Sequence, residues 1–255
     1  MNYNNCNAVI TGGASGLGGA TADSIIKHGG KVTIIDIQNE LGIKKAEELG
    51  SNCQYLNIDI TNEDLVSESF TKILENTGPI NLTVNCAGIG SPSKVLNKEG
   101  TCPLNLFKKI INVNLIGTFN TLKAAANIMQ KNDIEDNFSR GVIINTASIA
   151  AYDGQIGQAA YSASKGGIVG MTLPIARELA RQSIRVNTIA PGLFETPLLA
   201  GLPEEAKNSL IDSTLHPHRL GQPHEYAALV KHIYENEMLN GETIRLDGSL
   251  RMAPK

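Results

Sequence analysis

Ala8-Val9-Ile10-Thr11-Gly12-Gly13-Ala14-Ser15-Gly16-Leu17-Gly18 is the stretch on which the reading of this 255-residue chain turns. Its first four residues are apolar or β-branched and suit a buried strand, and the amphipathic run from Leu17 to His28 suits a helix. The glycines therefore stand at a strand-to-helix turn. There Gly12 allows the tight bend, Gly16 lets backbone N–H groups approach a pyrophosphate, and Gly18 permits close helix packing. The helix N-terminus favours the negative charge. A glycine turn taken alone also reads as simple flexibility.

Working outward, short β-branched runs recur between longer amphipathic ones. Strands are expected near Ala8–Thr11, Lys31–Asp36, Gln54–Ile58, Leu82–Asn85, Val142–Thr146, Arg185–Ala190 and Thr243–Leu246. Helices are expected over Leu17–His28, Leu41–Leu49, Glu63–Glu75, Leu104–Gln130, Ala159–Arg181 and His224–Tyr234, with a bend or break at Pro174. The alternation predicts an α/β chain: one Rossmann-like, doubly wound domain over 1–255 with a seven-stranded parallel sheet flanked by helices. No linker, repeat or low-complexity tract divides it.

The second expected strand ends at Asp36, 24 residues after Gly12, where a carboxylate can accept hydrogen bonds from the adenosine ribose hydroxyls. It would repel a 2′-phosphate, and Ala14, Ser15 and Ile37 supply no compensating cation, so the expected cofactor is NAD. Asp36 also reads as a turn or N-cap aspartate. Asp59, followed by Ile60, has the same two readings at the third strand.

Composition narrows the remaining classes. Twenty-two basic against 25 acidic side chains, with no block of like charge, make direct nucleic-acid binding unexpected. No apolar run has the length of a membrane span, and Met1–Asn7 has neither region of a secretory leader. Cys6, Cys53, Cys86 and Cys102 are widely spaced and read as free thiols in a reducing compartment. His216 and His218 lack a third ligand, so no metal is expected.

Beyond the fifth strand, Ser148 precedes Tyr161 by thirteen residues, and Lys165 follows Tyr161 at i+4 on one helical face. A phenol of ordinary pKa near 10 is a poor base at neutral pH. A neighbouring ammonium and a cationic nicotinamide would each favour the phenolate, and a shift of about 3 units needs roughly 4 kcal/mol.

Taken in order, TGxxxGxG at Thr11–Gly18, Asn85-Cys86-Ala87-Gly88, Ser148, Tyr161-xxx-Lys165 and Pro191-Gly192 resemble the short-chain dehydrogenase/reductase family over nearly the whole chain. Cys86 stands where many members have a second asparagine. The resemblance implies that Tyr161 is the general acid/base, that Lys165 lowers its pKa and binds the nicotinamide ribose, and that Ser148 hydrogen-bonds the substrate oxygen. Asn114, followed by Leu-x-Gly, matches the residue that holds a relay water, with Asn112 as the competing candidate. Cofactor contacts are expected from Gly12, Ser15, Gly16, Leu17, Gly18, Asp36, Asp59, Ile60, Asn85, Ala87, Gly88, Tyr161 and Lys165. Pro191, Gly192, Phe194 and Thr196 are expected on the nicotinamide side.

Substrate contacts are expected from Ser148, Gln155, Tyr161, Phe194 and Leu198, under a mobile lid at about 194–218 whose leucines Leu193, Leu198, Leu199 and Leu202 form an apolar inner face or a core stripe. Gly141–Ala176, Ile184–Leu199 and Leu239–Met252 resemble the branch of the family acting on short 3-hydroxyacyl-CoA thioesters, including 2-methyl-branched ones. Gly90–Pro103 fits that branch less well. The resemblance implies NAD-dependent, reversible oxidation to the 3-oxoacyl-CoA and a homotetramer built on the fourth and fifth helices and the final strand, with Ala124, Ala125, Ala126, Gly166 and Gly167 suited to close packing. The expected location is bacterial cytoplasm, which the missing Arg-rich presequence favours, with the mitochondrial matrix as the alternative if the host is eukaryotic. The alternatives are a 3-oxoacyl carrier-protein reductase, which Asp36 disfavours, a hydroxysteroid dehydrogenase, and a scaffold subunit of a tRNA-processing assembly, to which the negative net charge gives little support.

Overall fold

The computed structural model describes residues 1–98, 100–134, 139–200 and 210–254. Seven parallel strands form one sheet in the order β3-β2-β1-β4-β7-β8-β9: β1 (Asn7–Thr11), β2 (Lys31–Asp36), β3 (Cys53–Asn57), β4 (Leu82–Asn85), β7 (Gly141–Thr146), β8 (Ile184–Pro191) and β9 (Thr243–Leu246). The central strands β1, β4, β7 and β8 are buried throughout, which is why they read as continuous apolar runs, while the edge strands β3 and β9 are half-buried. A small antiparallel hairpin, β5 (Leu96–Asn97) and β6 (Gly100–Thr101), stands apart in the segment that fitted the resemblance least.

Helices cover both faces. On one, α1 (Gly16–Lys27) packs against α8 (Pro223–Glu235) over a core that includes Ile10, Ile25, Ile34, Val84 and Tyr226. On the other, α3 (Glu63–Thr77), α5 (Thr118–Met129) and α6 (Ala159–Leu179) close over Val9, Phe70, Ile143 and Val186. Two shorter helices, α2 (Asn39–Leu49) and α4 (Leu104–Ile111), lie against β3 and α6, and a single turn, α7 (Pro197–Ala200), follows β8.

Two helical expectations change. The segment 104–130 is three pieces, because a π-helical turn at Asn112–Gly117 separates α4 from α5. Conversely, α6 runs through Pro174 without a break. Pro174 and Gly170 both lie on its exposed face, where water can take the carbonyl that proline leaves unpaired. β3 and β8 differ from their expected bounds by one residue at each end, while β9 has the expected ones. All four thiols are free. Among the described residues no helix is long and apolar enough to cross a membrane.

Candidate active site

The carboxyl ends of β1, β4, β7 and β8 meet where the strand order reverses, the place where a doubly wound sheet leaves a crevice. Gly12 and Gly16 take positive φ, +65° and +54°. A Cβ on Gly12 would lie 2.7 Å from Ala87 N, and one on Gly18 would lie 2.3 Å from Gly12 O, so the first and third glycines fix how tightly this turn folds. Thr11 holds the neighbouring turn: Cys86 N–H donates to its carbonyl at 3.0 Å and Ala87 N–H to its Oγ1 at 3.3 Å. Ser15, the N-cap of α1, makes no side-chain cap bond. A cavity of about 770 Å³ opens over this turn, lined by Ala14, Ser15, Gly16, Thr196, Leu199 and Leu220 among others. Uncapped amides at a helix start facing such a space suit a phosphate ester.

Asp36 is buried at the rim. Its carboxylate accepts from Ala14 N–H at 3.2 Å and from Gln38 N–H at 3.0 Å, so it fastens the glycine turn and begins its own turn at once. Lys45, the cation on the cavity wall, is paired to Asp23 at 2.7 Å. These groups could hold the adenosine ribose of a dinucleotide.

Ser148 caps the short turn Ile149–Ala151, with Oγ accepting from Ala150 N–H at 3.1 Å, and it hydrogen-bonds the Tyr161 phenol. Lys165, one turn along α6, is buried; its Nζ donates to Thr146 O at 2.7 Å and lies 5.7 Å from the Tyr161 ring centre. Asn114 sits in the π-helical turn and clamps Ile89 twice: Oδ1 accepts from Ile89 N–H at 2.8 Å and Nδ2 donates to Ile89 O at 2.9 Å. Its Nδ2 also donates to Ser164 Oγ at 3.1 Å, and Ser164 donates to Tyr161 O at 2.7 Å. Gly88 lies between the two groups: its absent Cβ would be 3.3 Å from Asn114 Oδ1 and 3.5 Å from Lys165 Nζ. Asn112 is exposed on the outer side, which separates it from Asn114.

A hydroxyl, a phenol, an ammonium and an amide thus converge beside a glycine turn built for a pyrophosphate, and a family model described as short chain dehydrogenase matches residues 6–207. The chain belongs to the short-chain dehydrogenase family. Relatives called 3-hydroxyacyl-CoA dehydrogenase type-2 are 53% identical in Bos taurus over 249 residues, covering 97% of this chain and 95% of that one, and 50% identical in Drosophila melanogaster over 252 residues, covering 98% and 99%. A crystal structure of 3-hydroxyacyl-CoA dehydrogenase type-2 from Mycobacterium avium superposes with a TM-score of 0.94 at 36% identity, covering 99% of this chain and 98% of that one.

Several side chains of this short-chain dehydrogenase do not lie where the sequence suggested. Phe194 is buried in the core against Gly221, whose absent Cβ would be 2.8 Å from the ring, so the ring does not face the crevice. Gln155 donates its side-chain amide to Ala253 O at 3.0 Å. Asn85 is consumed as a strut across the sheet, donating to Asn145 Oδ1 at 2.9 Å and accepting from Thr121 Oγ1 at 2.6 Å. Asp59 is exposed and starts a turn by accepting from Thr61 N–H at 2.9 Å, while Ile60 packs beneath Gly117. Pro191 ends β8, Gly192 N–H donates to Leu246 O at 2.9 Å, and Thr196 stands against Gly16. Leu17 is half-buried at the start of α1. Leu202 and the side chain of Leu198 lie outside the described residues, as does 201–209 of the expected lid.

The phenol that an ammonium and a nicotinamide are expected to ionise starts, in the chain alone, from a raised pKa. Burial pushes Tyr161 above its ordinary pKa, and the Ser148 hydrogen bond offsets this only in part. Lys165 Nζ rests on Thr146 O, and burial lowers its own pKa to about 8. Sequence reasoning also passed over Thr146 and Ser164, which position Lys165 and Asn114. Their only signal was a small hydroxyl residue at a strand end and another at i+3 from Tyr161.

Proposed function

We propose that this enzyme interconverts short-chain 3-hydroxyacyl-CoA and 3-oxoacyl-CoA with NAD as its cofactor, 2-methyl-branched substrates included. The observation that carries the reading is the convergence of Ser148, Tyr161, Lys165 and Asn114 beside the glycine turn, in a chain whose relatives at 50–53% identity bear the name 3-hydroxyacyl-CoA dehydrogenase type-2.

The glycine turn, Asp36, Gly88, Lys165 and the Pro191–Thr196 segment would hold the dinucleotide, whose nicotinamide supplies the hydride acceptor. Tyr161 handles the proton. In the oxidative direction its phenolate accepts the hydroxyl proton as the C–H electron pair leaves and the C=O bond forms; in reduction its phenol returns that proton to the oxygen. Ser148, whose Oγ accepts from Ala150 N–H, would turn its O–H from the Tyr161 phenol to the substrate oxygen. Asn114 fixes Ile89 and, through Ser164, the backbone of Tyr161, so the acid stays in register with the crevice. Burial raises the phenol's pKa, so acting as a base needs nearby positive charge, which Lys165 and an oxidised dinucleotide would supply.

The same reading includes a homotetramer, and four free thiols support a reducing compartment, bacterial cytoplasm or mitochondrial matrix. The deciding experiment measures NADH and NADPH consumption against acetoacetyl-CoA, its 2-methyl homologue, longer 3-oxoacyl thioesters and a 17-ketosteroid. Turnover of the short thioesters with NADH preferred by about tenfold or more is expected. A preference for NADPH would point to the carrier-protein reductase, and turnover of the steroid alone to a hydroxysteroid dehydrogenase. Tyr161→Phe should lose about a hundredfold or more in kcat, since it keeps the ring and removes the proton.

A further inference from the structure

The segment joining Ser148 to Tyr161 has no regular structure between the turn Ile149–Ala151 and the start of α6. A loop of this kind is held by whatever its backbone and side chains meet elsewhere. Ser93 N–H donates to Gly157 O at 2.8 Å. Two further bonds go to the C-terminal tail: Ile156 N–H donates to Pro254 O at 3.0 Å, and the Gln155 amide donates to Ala253 O at 3.0 Å.

The tail is anchored in turn by Arg245 of β9. Its Nε donates to Asp247 Oδ2 at 2.7 Å, and its Nη2 to Asp153 Oδ2 at 2.6 Å and Leu250 O at 3.0 Å. Asp153 belongs to the loop after Ser148, so one guanidinium ties strand, tail and loop together. The three side chains are only 8–21% exposed, and the Tyr152 ring centre lies 5.1 Å from Arg245 Cζ. Donors aimed in a fixed fork at separate partners are what arginine supplies and lysine does not. The same segment reaches two other walls. Asp247 Cα lies 2.9 Å from where a Gly192 Cβ would be, and His216 O lies 2.9 Å from where a Gly248 Cβ would be.

The geometry points to Arg245 as a positioning residue for the substrate. Through Asp153 and the tail it fixes the loop that carries Ser148 toward Tyr161, and so sets how the substrate oxygen is met, without reaching the glycine turn or Asp36. This rests on the proposed function for the roles of Ser148 and Tyr161. A purely structural staple would instead weaken thioester and dinucleotide binding together.

Arg245→Met and Arg245→Lys distinguish the two in the full-length chain. Initial rates with acetoacetyl-CoA and NADH give kcat and KM, NADH fluorescence gives the dinucleotide Kd, and hydrogen exchange read by NMR follows the Ile156 amide. Arg245→Met is expected to raise KM for the thioester by about tenfold or more with NADH Kd within about twofold, and to speed Ile156 exchange by about tenfold. Arg245→Lys should recover part of each change. An unchanged KM and exchange rate, or KM and Kd rising by the same factor, overturns the proposal. A wild-type chain that fails to turn over acetoacetyl-CoA overturns the functional reading instead. Ile156 exchange in Arg245→Met then decides the positioning role alone: faster exchange sustains it, and unaltered exchange ends it.

Discussion

Lys165 shows how an active site works against the fold that carries it. An ammonium with 4% exposure and a pKa lowered from 10.5 to about 8 has lost roughly 3 kcal/mol of stability in its charged form. Removing it leaves the Thr146 carbonyl without its donor, which takes back about 1–2 kcal/mol. Lys165→Met should therefore abolish turnover yet stabilise the chain by about 1–2 kcal/mol at pH 7. The sign fixes the pH window. Between about pH 8 and 10.5 the unfolded chain binds the extra proton, so the wild type gains stability as pH rises and the advantage of Lys165→Met fades. Urea unfolding at pH 7 and pH 10 checks this; a variant less stable at pH 7, or one whose advantage grows with pH, contradicts it. Spacing alone revealed Tyr161 and Lys165, because i and i+4 share a helix face whatever surrounds them. The direction of the phenol's shift in the chain alone was hidden, since it depends on how far burial outweighs the Ser148 hydrogen bond. The packing of Phe194 and the bond made by Gln155 were not legible for a related reason: their partners, Gly221 and Ala253, are 27 and 98 residues away, and no local pattern links them.

At the level of elements, the strands and the glycine turn were legible because both rest on local chemistry, β-branched runs for buried strands and glycine where positive φ is required. The π-helical turn was not. Buried Ile110, Asn114, Gly117, Thr118 and Thr121 follow one another at ordinary helical spacings, so the apolar pattern passes through 112–117 unbroken. The widened turn is revealed by what Asn114 does, spending both ends of its amide on the backbone of Ile89. Such single-turn insertions occur where a side chain must be aimed out of helical register. Deleting Val113 should let the segment close into a continuous α-helix and carry Asn114 away from Ile89. Far-ultraviolet circular dichroism should stay within about a tenth of the wild type while kcat falls by about a hundredfold or more. Retained turnover would mean that the π turn is incidental to the site.

Across the whole molecule, the sheet settles where the crevice lies, while the outer face of α4 and α5 raises the question of assembly. The small residues expected to pack between subunits are largely used inside one chain: Ala125 is fully buried in the core, and Gly167 meets Leu115, whose Cδ2 would be 2.8 Å from its Cβ. What remains outward is apolar and bulky. Phe107, Ile116 and Phe119 are 37%, 44% and 45% exposed, and a cavity of about 670 Å³ lined by Phe107, Ile111 and Ile116 lies between Lys108, Lys109 and Asn112. A contiguous apolar surface of this kind, rimmed by cations and amides, is costly to leave in water and marks an interface. A second copy related by two-fold symmetry would set the same face against itself, burying Phe107 and Ile116 while the lysines stay at the rim. With a second contact pairing two such dimers into the proposed homotetramer, light scattering of the wild type should give four times 27.2 kDa. Phe107→Asp places a charge in the centre of that face and should reduce the mass to a dimer or monomer at micromolar protein. Met238→Asp, at a position 91% exposed after α8, should leave it unchanged. If Phe107→Asp keeps the full mass, subunits associate through another surface, and the exposed aromatic residues of α4 and α5 need a different partner.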